Sequence, residues 1–187
     1  MKSSAINFLA PSHEVARQLI GATFTLGGVG GVIVETEAYD RDDPASHSFA
    51  GLTKRNAAMF GPPGRAYVYR SYGIHWCLNF VCGAEGHGAG VLIRAIEPRL
   101  GLDVMRKRRG DIEDVRLLCS GPGRVGQALG ITPEYSGMPI DQSPFQLLMP
   151  AHAPHIICGP RIGISKAMDV PWRFGLAASR FLSRSFR

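Results

Sequence analysis

Apolar and polar residues alternate most regularly over Val32–Tyr39. Glu35, Glu37 and Tyr39 fall on one side of that stretch, and Thr36 and Ala38 on the other. Val32-Ile-Val34 is β-branched, so the pattern predicts a strand. Thr23–Leu26 predicts a second strand, joined to the first through Gly27-Gly28-Val29-Gly30-Gly31 as a hairpin turn. That glycine run is no phosphate loop, because it lacks the Lys-Ser/Thr ending and no helix follows. Ser12–Ile20 has helical periodicity, with Ser12 as N-cap, Glu14 in the first turn, Val15, Leu19 and Ile20 inward, and Gly21 at its end. Further strands are predicted at Ala66–Tyr69, Ile74–Val81, Gly90–Ile96, Leu147–Met149 and His155–Cys158, with Arg161–Ile164 extending the sheet. Helices are predicted at Leu100–Arg109 and Val125–Leu129, the second opened by Ser120-Gly-Pro-Gly-Arg124 and closed by Gly130. Trp172–Phe174 reads as a docking segment. The elements define an α+β class, a curved, mostly antiparallel sheet with helices packed around it. Asp40–Pro63 is a polar connection longer than usual, and such loops tend to be functional.

At 187 residues the chain fits a single domain, residues 1–187, with enough length to bury a core. Its 45% hydrophobic and 19% charged residues are those of a globular protein. No apolar run approaches the ~20 residues that span a bilayer, and the N-terminus is a poor signal peptide. The expected location is therefore the cytoplasm. The four cysteines, Cys77, Cys82, Cys119 and Cys158, are expected to be reduced thiols. His75, Cys77, Cys82 and His87 match no zinc spacing, so neither a metal nor another cofactor is expected.

The net charge of +6 favours a polyanionic partner. Arg106-Lys-Arg-Arg109 is a compact basic cluster, and Arg161, Lys166, Arg173, Arg180, Arg184 and Arg187 make the C-terminal part basic. A solvated helix face and a frayed tail explain the same charges. Glu35 and Glu37 lie beside Tyr39, with His47, Tyr67 and Tyr69 further along. An acid beside several flat π surfaces suits a pocket that grips a planar ligand and breaks a bond next to it. The competing reading is an exposed face of an edge strand.

Taken in order, Val34-Glu-Thr-Glu-Ala-Tyr39, Ala45-Ser-His47, Arg55-Asn56, Met59-Phe60, Gly64–Tyr69, Tyr72-Gly73, Cys77-Leu-Asn79, Arg94–Pro98, Cys119–Pro122 and Arg161–Ile164 resemble the alkyladenine (3-methyladenine) DNA glycosylase family, in its bacterial form. The resemblance spans about Leu19 to Phe174, and Thr132–Pro154 matches poorly. It implies base-excision repair, in which alkylated or deaminated purines such as 3-methyladenine, 7-methylguanine and hypoxanthine are flipped out of duplex DNA and cut from the sugar. Carried over by position, Glu37 is the implied general base. Arg94 and the main chain of Ile162 are implied to hold the attacking water. Tyr39, His47 and Tyr69 are the implied walls around the base, and Asn79 the group that crowds the exocyclic amine of guanine. Tyr72, Ile74 and His75 are implied to form a wedge on a protruding hairpin. His75 and Trp76 stand where better-known members carry Tyr and Phe, so the wedge surface differs.

The same residues suit this chemistry on physical grounds. An extruded base needs a wedge to fill its gap. Tyr72-Gly-Ile-His75 fits one, or else is a hairpin turn packed on its own strands. Tyr39, Tyr69 and a neutral His47 would stack on a cationic alkylpurine. One carboxylate, Glu37, can both deprotonate water and offset an oxocarbenium-like sugar. Glu35 shares its face unless strand twist turns it away. No lysine lies in the matched motifs, so hydrolysis without a lyase step is expected. Ser120, Gly121 and Arg124 at a helix start suit a DNA phosphate; an ordinary N-cap with Ser120 capping also fits. The expected partner is duplex DNA with damaged purines, acted on by a monomer that needs no obligate protein partner. An RNA-binding or tRNA-modifying module is the chief alternative, although the RNP pattern is missing. A small-molecule hydrolase would leave the charge and the wedge unexplained, and a non-catalytic DNA-binding protein would not need Glu37.

Overall fold

The computed structural model describes residues 6–186. Arg187 and the first half of the N-terminal stretch read for a targeting signal, residues 1–5, lie outside them. Helix α1 (Ser12–Leu19) leads into β1 (Thr23–Leu26) and β2 (Val29–Tyr39). After the long loop come β3 (Ala66–Ser71), β4 (His75–Cys82) and β5 (Ala89–Leu100). Helices α2 (Leu102–Arg108) and α3 (Pro122–Leu129) follow, then β6 (Phe145–Leu148), β7 (Ile156–Gly159) and β8 (Arg173–Leu176). The predicted α+β class with an antiparallel sheet is what the chain adopts.

The sheet runs β3-β4-β5-β2-β1-β6 with every pairing antiparallel, and it forks at β2. One edge of β2 pairs with β5. Its other edge pairs first with β1, over Val29–Val32, and then with β8, over Glu35–Glu37. Strand β2 is therefore central, and the exposed-edge reading of its two glutamates fails. The register of β2 against β5 slips around Glu35, so that Val34 and Arg94 drop out of the pairing. Such bulges bend a strand and re-aim its side chains.

Several boundaries differ from the pattern-based ones for identifiable reasons. Leu26 pairs with Val29, so the β1–β2 turn is only Gly27-Gly28, both with positive φ, as a tight hairpin requires. Gly30 and Gly31 belong to β2, where a Cβ would lie 2.0 Å from the Phe24 carbonyl oxygen and 1.9 Å from that of Glu97. Those glycines allow close strand approach rather than a turn. Arg161–Ile164 is not a strand, and Trp172–Phe174 leads into β8. Ser12 is the first helical residue and not the cap; its hydroxyl donates to Asp40 at 2.8 Å.

Helix α1 packs Val15, Ala16 and Leu19 into the main core, and Thr36 Oγ1 donates to the Ala16 carbonyl. Half of the Arg106–Arg109 cluster tethers neighbouring elements, while Arg106 pairs with Asp103 on its own helix and Lys107 is exposed. Arg108 donates to the Ala128 carbonyl at the end of α3, and Arg109 to Leu118 and Gln127. Helix α3 lies close on β4 because Gly126 faces it, and a Cβ there would sit 1.9 Å from the Trp76 carbonyl oxygen. In an open helix, Gly→Ala stabilises by up to ~1 kcal/mol. Here overpacking reverses the sign, and Gly126→Ala is expected to destabilise by about 1–3 kcal/mol in urea unfolding. An unchanged or raised midpoint would contradict this packing.

Candidate active site

Glu35 and Glu37 are both fully buried, and one guanidinium serves both. Arg94 Nε donates to Glu35 Oε1 at 3.1 Å, and Arg94 Nη1 donates to Glu37 Oε2 at 3.1 Å. Arg94 is the residue dropped from the β2–β5 register. Burial opposes its charge, but the carboxylates of Glu37 and Glu35 outweigh burial and raise its pKa. Glu37 Oε2 also accepts from the Tyr39 hydroxyl at 2.9 Å, and Oε1 accepts from the Ile162 backbone N–H at 2.7 Å. Arg94 and Ile162, the residues implied to hold a water, thus both donate directly to Glu37. Twist does not turn Glu35 away. It accepts from Arg173 Nε at 2.8 Å and from the N–H and hydroxyl of Ser183.

Above this network opens a cleft of about 640 Å³. Tyr39, His47, Tyr69, Tyr72, Asn79, Arg94 and Ile162 all line it. His47 stands edge-on to Tyr69, with ring centres 4.5 Å apart at 88°, and its Nδ1 lies 3.1 Å from the Tyr67 hydroxyl. Partial burial of the ring, helped by the Arg55 cation, pulls His47 below its ordinary pKa and favours the neutral form. Burial pushes the Tyr67 phenol up to about 12 and raises Tyr39 and Tyr69 further still, so these phenols keep their protons at neutral pH. Asn79 is buried in β4, and its Nδ2 donates to the Tyr67 carbonyl at 3.2 Å.

The β3–β4 hairpin closes at Ser71–His75, leaving Tyr72-Gly-Ile74 at its tip. Tyr72 is 86% exposed and Ile74 68%, so neither packs on its own strands. Tyr72 has left-handed backbone (φ 49°), a conformation that costs a non-glycine residue about 1–3 kcal/mol. His75 does not share the tip. Its ring lies against α3, where a Cβ on Gly123 would come within 2.7 Å of it. The start of α3 is therefore beside the hairpin. Ser120 does not cap that helix; Gly121 holds the cap position, and Ser120 Oγ accepts from Arg124 Nη1 at 2.9 Å. Arg124 is exposed, and Pro122 reaches the cleft wall.

Pattern reading assigned no role to several residues that shape this site. Arg161 is not part of a basic surface. It is buried, pairs with Asp43, donates to the Ala38 carbonyl at 2.9 Å, and lies 4.7 Å from the centre of the Tyr39 ring. Arg173 is likewise buried on Glu35. Asn56 pins the His47 loop by donating to the His47 and Gly51 carbonyls, at 2.8 and 3.0 Å. The quoted motifs contain Arg161 and Asn56, but nothing in their spacing points to Asp43 or Ser183. Among the described residues no group of three His, Cys, Asp or Glu side chains could hold a metal ion, and no helix is long and apolar enough to cross a membrane.

Comparison with known proteins fixes the class and then the family. A family model described as Methylpurine-DNA glycosylase (MPG) matches residues 6–180. A protein of Nitrosospira multiformis is 71% identical over 187 residues, covering 100% of this chain and 96% of the relative. One from Rhizobium meliloti is 61% identical, covering 98% of each chain, and one from Rhodopseudomonas palustris is 60% identical, covering 96% of this chain and 86% of the relative. All three carry the name "Putative 3-methyladenine DNA glycosylase". The chain is a DNA glycosylase, with DNA as its substrate. It belongs to the methylpurine-DNA glycosylase family.

Asp43 and Arg161 have almost no exposure, and removing one partner of such a pair leaves a buried charge uncompensated. Asp43→Ala is expected to lower unfolding free energy by about 3–5 kcal/mol, read by urea denaturation. A change under about 1 kcal/mol would mean that Arg161 finds water or another acceptor at little cost.

Proposed function

We propose that this protein excises alkylated purines, 3-methyladenine among them, from duplex DNA by hydrolysing the N-glycosidic bond and leaving an abasic site. The observation that carries the reading is the Glu37 carboxylate, fixed by Arg94, Tyr39 and Ile162 beneath an aromatic cleft. Family membership takes the place of the RNA-binding alternative.

Tyr72 and Ile74, solvated at the hairpin tip, enter the duplex and take the place of the extruded nucleotide. His75, exposed at the start of β4 with its ring beside Gly123 of α3, completes the wedge surface behind that tip. The freed base stacks among Tyr39, His47 and Tyr69. Neutral His47 adds no positive charge against a cationic base. Asn79 sits on the cleft wall, where it crowds the exocyclic amine of guanine. Among the described residues, Glu37 Oε2 accepts two hydrogen bonds and Oε1 one, from Ile162. Oε1 therefore keeps acceptor capacity for the attacking water. As the bond to the base breaks, the ionised carboxylate offsets positive charge on the sugar and takes the proton from that water. The base leaves with the bonding electrons, which neutralise the charge that alkylation gave it.

A lyase step would need a lysine acting as a free amine, shielded from water. Lys166, outside the matched motifs, does line the cleft, but it is exposed. We therefore assign hydrolysis alone, with no metal or other cofactor. Ser120, Gly121 and the exposed Arg124 are assigned to a DNA phosphate beside the wedge. The protein works as a monomer in the cytoplasm on nucleoid DNA.

The test is base release from methylated duplex DNA in the presence of EDTA, with borohydride added in parallel. Free 3-methyladenine should appear without a borohydride-trapped covalent complex. Tyr72→Ala should slow release more from a stable pair than from a mismatch, because extrusion is harder there. No base release, or release that needs added metal, would overturn the reading. A trapped complex would overturn the assignment of hydrolysis alone.

A further inference from the structure

The family match ends at residue 180, yet the next six residues run back into the buried carboxylate network. Phe181 packs with Val34 and Ala95 on β2 and β5. Phe186 lies over β7 and β8 where two glycines leave room, since a Cβ on Gly175 would be 2.6 Å from its ring and one on Gly159 3.2 Å. The Arg173 guanidinium stacks 3.9 Å from the centre of the Phe186 ring and donates to the Arg184 carbonyl. Between these anchors, Ser183 donates its N–H to Glu35 Oε2 at 2.5 Å and its hydroxyl to Glu35 Oε1 at 2.8 Å. The same hydroxyl oxygen lies 3.4 Å from Arg94 Nη2 as an acceptor. Far from fraying, the tail reaches the second carboxylate of the catalytic centre.

We propose that Ser183 is a positioning residue for the glycosylase reaction, fixing Glu35 so that Arg94 divides its guanidinium between Glu35 and Glu37. The inference rests on the assignment of Glu37 as the base. Arg94 offers Nε to Glu35 and Nη1 to Glu37, and that split holds only while Glu35 keeps its place. The geometry of Glu35 depends on its other donors, Arg173 and the two groups of Ser183. Without the Ser183 hydroxyl, Glu35 Oε1 loses a donor and Arg94 Nη2 loses its acceptor. The guanidinium can then swing toward Glu35 for two contacts, and Glu37 loses the cation that holds it. Ser183 does not line the cleft, so its effect falls on the chemical step and not on grip of the DNA.

The experiment compares parent, Ser183→Ala and Ser183→Thr as full chains, by single-turnover base release from methylated duplex DNA and by affinity for abasic-site duplex. Ser183→Ala should slow the chemical step about tenfold, the scale of losing one hydrogen bond to a charged group. Its DNA affinity should stay within about twofold of the parent. Ser183→Thr, which keeps both donors, should restore the rate. Phe186→Ala loosens the tail without removing either donor, and it should slow release in the same sense but by less. The proposal is overturned if Ser183→Ala releases base at the parental rate. It is also overturned if rate, affinity and melting temperature fall together, or if Thr does not restore the rate. If the parent itself releases no base, the glycosylase reading falls and this inference falls with it.

Discussion

Two ionisable carboxylates with no exposure, two residues apart on one strand, are joined by a single guanidinium, and the site is arranged around that bridge. Removing such charges from water costs several kcal/mol each, a penalty offset only by close pairing and full hydrogen bonding. Arg94 and Arg173 balance Glu35 and Glu37 in charge. The hydroxyl of Tyr39, the backbone N–H of Ile162 and both donors of Ser183 supply the remaining hydrogen bonds. The partners come from β2, β5, β8, the loop at Ile162 and the C-terminal segment. Elements far apart in sequence are thereby locked around one buried center, and the carboxylate of Glu37 is aimed before any ligand arrives.

The fork at β2 makes this arrangement possible. Pairing with β5 on one edge and β8 on the other buries Glu35 and Glu37 from both sides, while the bulge at Val34 and Arg94 turns the guanidinium onto both acids. The far end of β2 carries Tyr39, whose hydroxyl contacts Glu37 and whose ring is backed by Arg161. The proposed base-holding ring and the acid thus share one strand, the kind of support that keeps a site in register. The β3–β4 hairpin proposed as the wedge is built differently, with an exposed tip and a strained Tyr72 backbone, and α3 is held close behind it at Gly123 and Gly126.

Period-2 alternation placed Glu35 and Glu37 on one face correctly, because the strand is long enough for its pattern to outlast the bulge. It could not tell an exposed edge from a central strand, since that depends on β8, which lies more than a hundred residues away. Motif resemblance picked out Arg94, Tyr39, His47, Tyr69 and Asn79, which line one cleft, and Glu37, which is buried and hydrogen-bonded to Arg94 and Tyr39. Pattern reading erred at Arg161–Ile164, where apolar alternation reflects loop residues lining the cleft and holding Glu37. The buried arginines were misread as surface charge because their partners, Asp43 and Glu35, lie at least 118 residues away in sequence. Ser183 had no local signal at all. A serine among arginines becomes informative only when the fold brings it to Glu35.

The central claim is that the buried Glu37 carboxylate performs the chemistry while the cleft and wedge hold the DNA. Its most direct test is Glu37→Gln, measured by single-turnover release from an alkylated duplex beside affinity for that duplex. Gln keeps the shape but can neither take a proton nor offset a cationic sugar. The predicted result is a rate loss of about 10²–10⁴-fold or more, with affinity changed only a few-fold. Release at a near-parental rate by a folded Glu37→Gln protein would contradict the account.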